Sequence, residues 1–207
     1  MRYVYLHGFA SGPLSGKAQV FARQFAARGI QLEIPNLAEG EFEHLTISGQ
    51  LAVIERLIND DHVSLIGSSM GGYLAALYAS RRAQAKKLVL LAPAFQFVQR
   101  WPEELGPEKT TEWESTGRME IFHYGEGRPM PIGWGLIEDG RKFDPEPNFS
   151  QPALIFHGTN DTVVPASYSE QFAARHPNVK LTLLPSDHQL TDSTERIWND
   201  MERFLLS

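Results

Sequence analysis

The chain has 207 residues, 42% of them hydrophobic and 21% charged, with a formal net charge of −6. That length suits one domain around one core, and the acidic balance gives no electrostatic reason to bind nucleic acid or an anionic membrane. The absence of cysteine excludes disulfides, a cysteine nucleophile and thiolate metal sites, and no apolar run approaches the roughly 20 residues that span a bilayer.

The chain starts with MRYVYLHGF, which enters an alternating apolar segment without a charged leader, so a cytoplasmic protein with no membrane insertion is expected. Residues 3–9 predict a strand that ends in HGF. Ala18, Phe21, Ala22 and Phe25 then share one helical face that Gly29 closes. Lys17, at the start of this helix, is expected to be exposed. Read as a phosphate loop, SGPLSGKA fails: Ser11 stands where a glycine is required, and Ala18 replaces the hydroxyl that would hold magnesium.

Further strands are predicted over 30–35, 63–67, 86–93, 153–158 and 179–185, each a short apolar or β-branched run. Helical faces lie between and after them: Ile47, Leu51, Ile54 and Ile58; Leu74, Leu77 and Tyr78; Ile197, Met201, Phe204 and Leu205. Alternating strand and helix imply an α/β fold, with about six mostly parallel strands and helices on both faces. Ligands in such sheets bind beyond the carboxyl ends of the strands, where HGF, GSSMGG, APAF, HGTND and PSDH fall. Residues 96–150 break the rhythm. They carry Trp101, Trp113 and Trp134 and prolines at 102, 107, 129, 131, 145 and 147, an aromatic load that a structureless linker would not have. A lid or cap packed over the strand ends, within a single domain spanning 1–207, is expected.

The pattern Gly-x-Ser-x-Gly fits one frame, Gly67-Ser68-Ser69-Met70-Gly71, which centres Ser69. A strand precedes it and a helical run follows, the setting in which a serine sits on a strained turn with its hydroxyl above the sheet. A serine hydroxyl needs a base, and the base an orienting acid, in the chain order serine, acid, histidine. Asp161 lies beyond the fifth predicted strand and His188 beyond the sixth. His44, His62, His123 and His176 lie outside such loops and are expected to be solvated or structural; His7 and His157 precede glycines at strand ends and are expected to hydrogen-bond the loops there. Asp187 is a rival acid, but its side chain, adjacent to His188, is expected to diverge. The backbone N–H groups of Met70 and Phe9 are the expected oxyanion donors. No H-E-x-x-H occurs and the histidines lack ligand spacing, so neither metal nor cofactor is expected. Glu103, Glu104, Glu112 and Glu114 are expected on solvated faces rather than as glycosidase carboxylates. A catalytically silent binding module on the same fold is the alternative.

YLHGFASGPLSGKA, GSSMGGYLA and LAPAF together make the chain resemble the α/β-hydrolase superfamily over nearly its whole length, and within it the small bacterial YqiA-like esterases. The resemblance implies a minimal α/β-hydrolase fold and a serine hydrolase acting on carboxylic esters or thioesters. Ser69, Asp161 and His188 stand at the positions of the family's triad.

Overall fold

Val4 and Leu6 face one side of a central sheet while Tyr3 and Tyr5 face the other, and the same alternation separates Leu88 and Leu90 from Val89 and Leu91. Strands buried on both faces need helices on both faces, and the chain supplies them. The computed structural model describes residues 1–206. In chain order these form β1 (Arg2–Leu6), α1 (Gly16–Ala26), β2 (Leu32–Glu33), α2 (Ile47–Ile58), β3 (Val63–Ser68), α3 (Met70–Arg81) and β4 (Ala85–Leu91). Then come α4 (Phe97–Leu105), α5 (Pro107–Thr116), β5 (Arg118–His123), β6 (Arg128–Gly133), α6 (Gly135–Gly140), β7 (Ala153–Gly158), α7 (Ala166–Arg175), β8 (Val179–Leu184) and α8 (Thr194–Leu205).

The main sheet has the order β2-β1-β3-β4-β7-β8 with every neighbouring pair parallel. Phe21 and Phe25 of α1 and Ile197, Trp198 and Met201 of α8 cover one face; α2, α3 and α7 cover the other, through residues such as Ile54, Leu74 and Phe172. This is the α/β-hydrolase fold in a minimal form. The chain steps from β1 outward to β2, then crosses back to β3 on the other side of β1. A crevice therefore opens beyond the carboxyl ends of β1 and β3, where this class of sheet places its ligands.

Residues 96–150 are more regular than their sequence suggests. Gly106, with φ of +81°, separates α4 from α5, which starts on Pro107 and stops at Gly117 in the left-handed region. β5 and β6 form an antiparallel hairpin outside the main sheet. Pro129 and Pro131 hide β6 from an alternation count, but a two-stranded ribbon tolerates proline on its free edge. The three tryptophans form a chain of ring contacts, Trp101 to Trp113 at 4.8 Å and Trp113 to Trp134 at 5.0 Å, and the Trp113 indole donates to the Ile132 carbonyl at 3.0 Å. Among the described residues no helix is long and apolar enough to cross a membrane.

Candidate active site

Ser69 stands between β3 and α3 with φ 53° and ψ −118°, a conformation that a non-glycine residue adopts only when its surroundings impose it. Its N–H donates to the Leu91 carbonyl at 2.9 Å, and its own carbonyl accepts from Gly72, Tyr73 and Ala94. The flanking glycines make this packing feasible. A Cβ on Gly67 would lie 2.2 Å from the Gly71 carbonyl oxygen, and one on Gly71 would lie 2.0 Å from the Leu6 carbonyl oxygen at the end of β1.

The loops after β7 and β8 are bonded to each other, which brings two distant sequence positions together. Thr159 N–H donates to Leu184 and Asn160 N–H to Ser186, while Gly158 is so close to the second loop that a Cβ would meet the Ser186 carbonyl at 2.3 Å. Asp161 caps its own turn through Oδ1, which accepts from the Val163 and Val164 amides, both at 2.8 Å. Its other oxygen, Oδ2, accepts from His188 Nδ1 at 2.7 Å. That bond fixes the proton on Nδ1 and leaves Nε2, 3.0 Å from Ser69 Oγ, to accept the serine hydroxyl.

The structure thus joins Ser69, His188 and Asp161 in one hydrogen-bonded line, with the Asp161 side chain fully buried and that of His188 only 12% exposed. Burial alone would raise the Asp161 carboxyl, but the hydrogen bonds from His157, His188 and Val164 outweigh it and hold the group well below the usual carboxylate range. Asp187 is used elsewhere: its Oδ1 accepts from the Gln189 and Leu190 amides of its own turn.

The β1–α1 loop runs beside Ser69, since a Cβ on Gly8 would sit 3.4 Å from Ser69 Cβ. Neither the Phe9 N–H nor the Met70 N–H has an acceptor among the described residues. Both amides are free to serve an external oxygen, and Met70 adds the N-terminal end of α3. A cavity of about 1020 Å³ opens over Ser69 and His188. Phe9, Phe42, Phe97, Trp101, Ile121 and Met130 give it one apolar wall, most of it from the segment between β4 and β7. Among the described residues no cluster of His, Asp and Glu is placed to hold a metal ion.

Three side chains differ from their sequence reading or extend it. Lys17 is not exposed; it is 8% exposed and borders the cavity. Burial pushes its ammonium down to about 8 against the pull of Asp161 and Asp187. The signal was in the helical spacing, because Lys17 precedes Phe21 and Phe25 by one and two steps of four and so lies on the buried stripe. His123 is buried at the cavity edge, its ring against Phe42 at 4.6 Å and its Nδ1 accepting from Glu126 N–H. His157 bonds the β7 loop as expected and goes further, reaching Asp161 itself.

A family model matches residues 2–205, that of the Uncharacterised protein family (UPF0227). The chain belongs to that family. A search of the curated proteins gave no match. Among solved structures, the UPF0227 chain is similar to alpha/beta hydrolase domain-containing protein 10 from mouse, at 21% identity and a TM-score of 0.83 over 99% of this chain and 90% of that one. It is also similar to Est1E from Butyrivibrio proteoclasticus, at 21% identity and a TM-score of 0.80 over 99% and 86% of the two chains. A third likeness is to the metagenome-derived lipolytic enzymes LipS and LipT, at 20% identity and a TM-score of 0.75 over 98% and 91%. These likenesses establish the α/β-hydrolase fold for this member of UPF0227.

Proposed function

We propose that the protein is a serine hydrolase of small carboxylic esters or thioesters. The observation that carries this reading is His188, whose two ring nitrogens reach Asp161 Oδ2 at 2.7 Å and Ser69 Oγ at 3.0 Å. His188 Nε2 takes the Ser69 proton as Oγ attacks the acyl carbon, and the Phe9 and Met70 amides hold the oxyanion that forms. The imidazolium, stabilised by Asp161, passes that proton to the departing alcohol or thiol, leaving an acyl-enzyme. A water then gives its proton to His188 and attacks the acyl carbon; collapse breaks the bond to Oγ, which recovers the proton as the acid leaves.

The cavity's aromatic wall suits an apolar acyl group, and we assign residues 96–150 as the lid that supplies most of that wall. The cavity's volume, about 1020 Å³, is at the upper end of small-molecule sites. LipS and LipT, to which the chain is similar in fold, are lipolytic enzymes, which supports the same reaction class.

The test combines a fluorophosphonate probe and p-nitrophenyl esters with the Ser69→Ala and Ser68→Ala variants. Labelling and turnover that vanish in Ser69→Ala and persist in Ser68→Ala are expected. Equal labelling of Ser69→Ala and wild type would remove Ser69 from the role, and neither labelling nor turnover in wild type would favour a binding module.

A further inference from the structure

Lys17 is a buried cation without a partner among the described residues. Its side chain is on the buried face of α1, yet its ammonium makes no hydrogen bond or ion pair among the described residues. Nor is the ammonium one of the polar atoms sealed without a partner inside the protein, so it opens onto the cavity that Lys17 borders. The two carboxylates whose charge it senses are committed elsewhere: Asp161 to two histidines and two amides, Asp187 to its own turn. Arg100, a second buried cation on the same cavity, offers a contrast. It is engaged by Glu104 and by the Val163 carbonyl.

A cation that is unpaired in the protein and opens onto the cavity is placed to meet a counter-charge that arrives from outside. The surroundings favour an anion. Lys17 is in the first turn of the 11-residue α1, whose N-cap residue Ser15 makes no side-chain capping bond and whose first turn holds no acidic residue. Amides of that turn add to the ammonium's attraction for negative charge. Gly12 and Gly16 border the same part of the cavity, with no atom within 4 Å of a Cβ built on either. Room for a ligand group remains.

We propose that Lys17 anchors an anionic group, carboxylate or phosphate, on the alcohol or thiol half of the substrate. This rests on the hydrolase reading above, which fixes the side. The leaving group departs from the face of His188, which protonates it, and Lys17 lines the cavity together with His188 and Gln189, whereas the aromatic wall takes the acyl group. The substrate class is therefore an apolar acyl group carried on an acidic alcohol or thiol.

The experiment compares octanoyl esters of para-hydroxybenzoate, para-hydroxyphenyl phosphate and the neutral para-hydroxybenzamide, and reads the anionic-to-neutral ratio of kcat/KM. In wild type at least one anionic ester should be preferred by about tenfold, the worth of one charge-assisted contact. That ratio should collapse toward unity in Lys17→Met and Lys17→Gln and survive in part in Lys17→Arg. A lysine that merely supports the fold would lower all rates together and leave the ratio alone, and that result overturns the proposal. So does a wild-type enzyme that hydrolyses the esters without regard to charge, although the hydrolase reading would then stand. If no ester is turned over, that reading fails, and calorimetry of Ser69→Ala with para-hydroxybenzoate, phenyl phosphate and para-hydroxybenzamide still decides the anchor. Anion binding abolished by adding Lys17→Met supports it; equal binding of the three, or binding indifferent to Lys17, overturns it.

Discussion

His157 Nε2 stands 3.1 Å from Asp161 Oδ2, the same oxygen that accepts the His188 bond. Ser169 Oγ lies 2.7 Å from His157 Nδ1, so the serine donates there and Nε2 carries the proton that points to Asp161 and to the Val164 carbonyl. Asp161 is thus held by a second imidazole, whose own partners are Ser169, Asp161 and Val164 rather than Ser69. His157→Leu is expected to lower kcat by about tenfold with little change in KM, because a looser Asp161 orients His188 less well. It should also cost on the order of 1–3 kcal/mol of stability by leaving buried groups unpaired. Steady-state kinetics and urea unfolding read the two effects separately, and Ser169→Ala should follow in the same direction with smaller amplitude.

Gly71 and Gly12 are predicted to differ sharply on substitution by alanine. At Gly71 the new Cβ would overlap the β1 backbone at Leu6, which cannot yield without breaking the crevice, whereas at Gly12 it meets nothing within 4 Å. Gly71→Ala should destabilise by more than about 4 kcal/mol or prevent folding, and Gly12→Ala should stay within about 0.5 kcal/mol of wild type. Thermal unfolding of the two variants checks this.

The contrast shows which parts of the molecule could be read from sequence. Ser69, Asp161 and His188 were legible because each ends a strand of the main sheet, and parallel strands deliver their carboxyl ends to one edge. The role of Gly71 was only half legible: the motif sets it two residues after Ser69, but its nearest contact is with β1, a strand distant in sequence. Lys17 was misread because its charge outweighed its position on the Phe21 and Phe25 stripe. The segment between β4 and β7 hid a hairpin because Pro129 and Pro131 stand inside β6, although its partner β5 alternates exposed and covered residues.

Acid should destabilise the protein partly through Asp161. Its carboxyl is depressed in the fold, so the unfolded chain binds more protons once the pH falls below about 4, and the stability it contributes above that pH is lost as the folded group is titrated. His7 adds to the loss from about pH 6.5 downward, because burial lowers its affinity for a proton that the unfolded chain takes up freely. Urea midpoints should fall on both steps. Asp161→Asn should flatten the lower one while leaving the upper one in place.

Lys17→Met should be more stable than wild type. With the ammonium pushed down to about 8 in the fold, the unfolded chain holds the extra proton between about pH 8 and 10.4. Wild-type stability therefore rises across that window, and at neutral pH the buried charge costs on the order of 1–3 kcal/mol. Urea unfolding at neutral pH should show the variant ahead by that amount, with the gap closing above about pH 10.

Phe9 has two unlike duties at one position. Its amide is one of the two free donors beside Ser69, while its ring rests on Phe42, Phe97 and Trp101 at 5.6, 5.8 and 5.0 Å. On the proposed mechanism, the wall that faces the acyl group and the donor to its carbonyl oxygen share a single α-carbon. An acyl chain too bulky for the wall would displace the donor as well, so a poor fit would be felt in the bond-making step and not only in binding.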